Sequence, residues 1–418
     1  MNRPFDAIVI GAGAAGLFCA SVAGQRGLRV AVLDHFPRLA EKIRISGGGR
    51  CNFTNLSADR PDRFVGEQPR FARDALRAYP PARFIRLLCE HGVGYHEKHR
   101  GQLFCDDSSE RIIELLRGEC EAGGVQWLRP CQVDAVVHRE PPGGGNGSSS
   151  IGNAHCRYEV HTQAGILRTH ELVVATGGLS IPKIGASDFG YKLARQFGLR
   201  VVEPRPALVP LTFSGESWAP FAELAGVALP VVASAPANAA APAFDEDLLF
   251  THRGLSGPAV LQISTFWRHG DPIAIDLAGG SDLAGRLIAA KANSKQTLSA
   301  ALAAELPRRL AARWLELFEP ALAARRLAEI GHRELAALAQ RLRDWRVMPN
   351  GTEGFRKAEV TVGGVATEGL DPRTMRAQRQ PGLYFIGEVV DITGWLGGYN
   401  FQWAWASGFM AGQALGRG

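Results

Sequence analysis

Two glycine-rich clusters at opposite ends of the chain carry residue types suited to holding a dinucleotide. Gly11-Ala12-Gly13-Ala14-Ala15-Gly16 follows the apolar run Asp6-Ala-Ile-Val-Ile10 directly. Glycines at that spacing let backbone approach a pyrophosphate, and a helix opening there aims its N–H groups and positive dipole end at the phosphates. Asp34, 23 positions beyond Gly11, ends a second apolar run. It stands where a carboxylate accepts from an adenosine ribose hydroxyl. Near the other end, Gly382-Leu-Tyr-Phe-Ile-Gly387-Glu388 leads to Gly397-Gly398-Tyr399-Asn400. Glu388 suits the hydroxyls of a ribityl chain, and Gly397–Asn400 at a helix start offers backbone donors to the pyrimidine edge of a ring. Thr176 and Gly177 close a further strand of the same kind, and Val133 offers a backbone contact to adenine. The first cluster alone serves FAD or NAD; the second selects FAD. No histidine or cysteine is placed for covalent attachment, so the flavin is expected to be noncovalent.

Reducing a polarised C=C bond takes a hydride from the flavin and a proton from an acid on the opposite face. Cys51 is the first candidate acid, because it follows Arg50 in a glycine-rich loop where a cation lowers a thiol pKa. The plainer reading is a small buried thiol. His252 in Phe250-Thr-His-Arg253 is the second candidate, against a structural hydrogen-bonding role. Tyr399 and Asn400 are assigned to the ring rather than to the substrate. No second glycine fingerprint follows a strand, so NAD(P)H is expected only as a transient donor. No C-x-x-C pair occurs among the seven cysteines, which argues against a disulfide reductase and a zinc site alike.

These residues need a frame. Ala7–Ile10 reads as a buried strand, Ala14–Arg26 as a helix and Leu28–Leu33 as the next strand. Arg44–Asn52, with three adjacent glycines, is read as neither helix nor strand. A helix is expected over Ala72–His91, hairpin strands over Val125–His138 and Cys156–His161, and a mobile loop over Pro141–Ser150. Glu171–Gly178 returns as a strand, and Tyr191–Phe197 as a helix. A β-rich insert follows to Asp276, then a helical stretch, Ser281–Trp345. The flavin fold resumes near Thr352 and closes with a helix, Phe401–Leu415. The division is 1–200 and 351–418 for the flavin domain, 201–280 for a β-rich domain and 281–350 for a helical one.

The chain has 418 residues, 21% of them charged, and a net charge of +6. Such a basic balance is compatible with a polyanionic partner without requiring one. Lysine supplies only seven of the 47 cations. Nine arginines face six acids between Glu305 and Arg346. That pattern reads first as a salt-bridged solvated face, and second as a track for an RNA backbone. No leader and no apolar stretch of about 20 residues is seen, so a cytoplasmic protein without membrane contact is expected.

Ser46-Gly-Gly-Gly-Arg-Cys-Asn52, Phe250–Pro258, Val360-Thr-Val-Gly-Gly-Val365 and Gly397-Gly-Tyr-Asn-Phe-Gln-Trp-Ala404 together carry a resemblance. The chain resembles the BaiN/RdsA-like family of NAD(P)/FAD-dependent oxidoreductases (YhiN-like flavoproteins), as a divergent subfamily. The resemblance implies an α/β, glutathione-reductase-like (Rossmann-type) FAD-binding fold interrupted by a β-barrel-like domain and a small helical domain. It adds Arg50 and Asn52 to the cofactor-binding residues. Asp34 stands where that family usually has glutamate, and Ile392-Thr-Gly-Trp395 is bulkier than usual. The leading expectation for the reaction is hydride transfer to a uridine of 23S rRNA, giving dihydrouridine. The alternatives are a reductase of a small enone or ketone of steroid or bile-acid type, and a flavin-dependent RNA-binding or assembly factor with little turnover.

Overall fold

The computed structural model describes residues 3–139, 156–291 and 295–417. The chain clusters into two compact units, Met1–Arg205 with Val360–Gly418, and Pro206–Glu359.

The first unit is built on a seven-stranded sheet. Its parallel core sets Gln126–Leu128, Val30–Leu33, Phe5–Ile10 and Gly165–Val174 side by side. The ten residues of Gly165–Val174 have two partners in succession. Gly165–Thr169 pairs antiparallel with Tyr158–Thr162, and Leu172–Val174 then pairs parallel with Leu383–Phe385. Ile8, Val9, Leu172, Val173 and Leu383 are fully buried. Such continuous apolar runs are what a parallel sheet covered on both faces requires.

The helix Ala14–Gln25 follows the first strand, and the C-terminal helix Tyr399–Ala414 packs along it. Glycine permits the close approach: a Cβ at Gly408 would lie 2.7 Å from the Ala15 carbonyl oxygen, and one at Gly412 2.8 Å from that of Cys19.

Three sequence expectations are corrected here. Ala72–His91 is two helices, Ala72–Ala78 and Pro81–Glu90. Pro80 and Pro81 cannot donate to the helix ladder and bar helical geometry in the residue before them. Val125–His138 is likewise split. Gln126–Leu128 joins the parallel core, and only Val133–His138 pairs with Tyr158–Thr162. The stretch 44–52 is irregular only at its centre, because Arg44 and Ile45 end a short helix and Asn52 opens a strand. Pro141–Ser150 lies outside the described residues.

In the second unit seven strands run in the order 345–347, 273–276, 228–234, 244–251, 254–256, 211–212, 351–352. The two outermost strands are separated by only Met348-Pro349-Asn350. Those four Cα steps span at most about 14 Å, whereas a flat sheet of this size holds its edges about 29 Å apart. The sheet is therefore rolled, which is the barrel-like form. Helices of 283–343 share its aromatic core: the Trp345 ring lies 5.2 Å from Phe221 and 5.8 Å from Trp314.

A Leu at Gly408 should force the two long helices apart and cost about 1–3 kcal/mol. Thermal unfolding of Gly408→Leu should show a melting temperature several degrees lower, with weaker flavin retention. An unchanged melting curve would contradict the helix packing described.

Candidate functional site

The parallel register brings the distant motifs to one edge. Ile10 pairs with Leu33 on one side and Val174 on the other, and Val174 pairs with Phe385. Gly11, Asp34, Thr176–Gly177 and Gly387–Glu388 therefore leave the sheet at its carboxyl end, where open α/β sheets bind ligands.

The glycines of the first cluster divide by role. At Gly11 (φ +110°) a Cβ would lie 2.3 Å from the Ala175 carbonyl oxygen, and at Gly16 2.0 Å from that of Gly11. These two are glycines for the chain's own packing. At Gly13, whose φ of −86° suits any residue, a Cβ would meet nothing within 4 Å. Gly13 caps the helix that runs on through Ala14 and Ala15, with no side-chain cap and no acid in its first turn. An uncapped, positively polarised helix end opening on free space is the cradle a pyrophosphate needs.

Asp34 fixes this turn. Its Oδ2 accepts from the Ala12 N–H at 2.7 Å and its Oδ1 from the Phe36 N–H at 2.8 Å. The Asp34 carbonyl accepts from Cys131 N–H at 2.7 Å, close to Val133, which opens its strand. Thr176 Oγ1 is buried without a hydrogen-bond partner among the described residues.

Glu388 is neither solvated nor free. Its Oε2 accepts from Lys42 Nζ at 2.6 Å, and its Oε1 from the Thr361 N–H at 2.9 Å and Ser180 Oγ at 3.3 Å. Lys42 also donates to Ser180 Oγ at 2.7 Å. Sequence reasoning missed Lys42, Ser180 and Thr361. The available signal was the scarcity of lysine, one of which lies just before the glycine loop.

The second loop is rigidly mounted. Gly387 N–H donates to Ser407 Oγ and its carbonyl accepts from Trp403 Nε1, both at 3.0 Å. Asn55 Nδ2 donates to the Gly397 carbonyl at 3.0 Å. Asn52 bridges loop and strand: its amide nitrogen donates to the Thr54 and Leu103 carbonyls at 3.1 and 3.2 Å, and its oxygen accepts from Gly398 N–H at 3.3 Å. Asn400, expected against the ring, bonds backbone instead. Its Oδ1 accepts from Gly394 N–H and its Nδ2 donates to the Gly394 carbonyl, both at 2.8 Å. The Tyr399 side chain is mostly buried, edge-on to Phe64 at 6.0 Å.

The expected activation of Cys51 by Arg50 does not occur. The side chain of Arg50 is exposed, whereas Cys51 is fully buried, and burial pushes its thiol pKa up. Desolvation disfavours the thiolate more than a solvated cation favours it. His252 is exposed at the turn between Phe244–Thr251 and Gly254–Ser256, in the second unit. Beside it Arg253 pairs with Glu353 at 3.3 Å.

Fold and site together define a Rossmann-type flavoprotein oxidoreductase. The chain belongs to the family described as HI0933-like protein Rossmann domain, whose model matches residues 5–414. It is 46% identical over 413 residues to the ribosomal RNA dihydrouridine synthase of Escherichia coli (strain K12), covering 98% of each chain. It is 41% identical over 418 residues to the protein of that name in Haemophilus influenzae (strain ATCC 51907 / DSM 11121 / KW20 / Rd), covering 100% of each. With the 3-dehydro-bile acid delta(4,6)-reductase of Clostridium scindens (strain ATCC 35704 / DSM 5676 / VPI 13733 / 19) it shares 29% identity over 432 residues, covering 97% of this chain and 98% of that one. Among the described residues no helix is long and apolar enough to cross a membrane, and no group of three or more His, Cys, Asp or Glu could hold a metal ion.

Two outcomes follow. Gly13→Asp places a side-chain cap on the first helix, worth a few tenths of a kcal/mol over glycine, but sets a negative charge against the pyrophosphate. The apoprotein should melt no lower than wild type while FAD affinity falls at least tenfold by equilibrium titration; unchanged affinity would contradict the cradle. Asp391, in the loop after Glu388, is buried, and desolvation lifts its carboxyl to about 6 although Glu67 N–H donates to it. A folded pKa above the unfolded value, about 3.9, means that stability is lost as pH rises from about 4 through 6. Asp391→Asn should leave stability at pH 4 unchanged and raise it at pH 7.5 by up to about 2–3 kcal/mol. Denaturant titrations that differ equally at both pH values would count against this.

Proposed function

We propose that this protein is an FAD-dependent reductase that saturates the C5–C6 bond of a uridine in 23S rRNA, giving dihydrouridine. The observation that carries this reading is identity of 46% running through 98% of both chains with an enzyme of that name. FAD, when bound, supplies the hydride. The chain's own part is to hold it: the helix end at Gly13 and the Asp34-pinned turn take the pyrophosphate end. Lys42 and Glu388 hold the strand ends together along the ribityl path, and the Gly397–Gly398 backbone faces the ring. Electrons come from NAD(P)H as a visiting donor, since the sequence carries no second dinucleotide fingerprint. With Cys51 sealed in the core, the proton on the opposite face comes from a group other than Cys51.

A second reading, reduction of a small enone, is favoured by the full-length relative named as a bile-acid reductase. A dihydrouridine map of 23S rRNA separates the two. Deletion of the gene should remove one dihydrouridine, the wild-type copy should restore it, and the Gly13→Asp copy should not. A map untouched by deletion would sink the RNA reading and leave the small enone. Restoration by the flavin-deficient copy would favour an assembly factor over a catalyst.

A further inference from the structure

The first unit contains an open surface cavity of about 410 Å³ beside the last turn of the C-terminal helix. Arg373, Arg376 and Arg417 line it together with Thr374, Gln413 and Tyr384. Among the described residues neither Arg376 nor Arg417 forms an ion pair. Arg373 pairs with Asp74 at 3.9 Å, and Arg417 donates to the neutral Gln413 Oε1 at 3.3 Å. The acid behind the wall, Glu171, is already engaged, accepting from Tyr384 Oη at 2.9 Å and from Gly416 N–H at 2.7 Å.

A helix dipole accounts for only part of this charge. Arg26 satisfies the helix C-terminus by donating to the Gly412 and Leu415 carbonyls at 2.6 and 2.8 Å. After that the three cavity arginines remain, and the proximity of Arg417 disfavours the charge on Arg26, after burial the main cause of its lowered pKa. Exposed like charges that share one pocket wall, with few counterions among the described residues, attract anions.

The contrast with the arginine-rich insert is informative. There Arg313, Arg325, Arg341, Arg343 and Arg346 pair with Glu316, Glu334, Glu319, Asp276 and Asp344. Arg309 is bonded to the Glu223 carbonyl. Five of the nine arginines there are matched by a carboxylate within the fold; of the three cavity arginines only Arg373 is, and at 3.9 Å.

We propose that this cavity docks backbone phosphates of the RNA substrate, with the guanidinium groups of Arg373, Arg376 and Arg417 as donors. The proposal rests on the rRNA reading above. The cavity lies at the opposite end of a 16-residue helix from Gly397–Gly398, about 24 Å away at 1.5 Å per residue. A small substrate held at the ring loop does not span that length, whereas a polymer of phosphates does. Planar guanidinium forks suit phosphate geometry.

The test is RNA binding by the FAD-loaded Arg373→Ser/Arg376→Ser/Arg417→Ser protein, using a 23S rRNA transcript over a range of salt. Affinity should fall at least tenfold, and the slope of log K against log salt should flatten by about 2–3, as expected for three lost phosphate contacts. The FAD absorbance ratio should remain that of wild type. Unchanged affinity and slope in a variant that retains FAD would overturn the cavity while leaving the reaction intact. Should the wild-type protein itself neither bind nor modify rRNA, the functional reading falls first and the cavity with it. A variant that binds RNA normally but NADPH poorly would assign the cavity to a free nucleotide phosphate, which also overturns the proposal. If the triple variant loses FAD, the exposed single change Arg376→Glu replaces it, and a normal salt slope there is equally fatal.

Discussion

Four parallel strands that end level with one another hold the rest of the site in place. Ile10, Leu33, Val174 and Phe385 are register partners, so the turns that follow them open on the same side of the sheet. A slip of one residue would exchange the faces of a whole strand. It would also carry its terminal glycine or acid away from the shared edge. Burial on both faces makes such a slip costly, because Ile8, Val9, Val173 and Leu383 have no solvent-facing alternative.

Around that edge, polar groups are satisfied mainly by backbone and by one another. Asp34 accepts two N–H groups, and Asn400 both accepts from and donates to Gly394. Glu388, Lys42, Ser180 and Thr361 form a connected network across four separate segments. A partly buried ion pair of this kind stabilises little, because desolvation offsets much of its attraction. Its value lies in fixing where a carboxylate stands, and removing one member leaves the other uncompensated. Desolvation decides the opposite case, Cys51, where burial outweighs the hydrogen bond with Ser46 and the thiol stays protonated.

The two compact units solve the charge problem differently. The insert carries nine arginines between Glu305 and Arg346, and acids within the fold answer five of them. The cavity at the end of the C-terminal helix holds fewer cations with less compensation. Net charge alone, +6 for the chain, does not distinguish these arrangements, because pairing depends on which helix faces meet.

The local motifs were legible in the sequence by itself: strand, glycine turn, helix and acid spacing near Asp34, the glycine pair before the last helix, and the passage from short strands to helices between about 201 and 345. They are legible because each depends on neighbours within a few residues, through backbone conformation and apolar periodicity. Tertiary structure decided what depends on distant neighbours. It separated Gly11 and Gly16, which make room for the chain, from Gly13, which leaves room for a ligand. It buried Cys51 beneath its own loop, turned Asn400 back on Gly394, and brought Lys42 to Glu388 across 346 positions. Burial and long-range pairing set the pKa values and free valences that chemistry uses, and no window of adjacent residues contains that information.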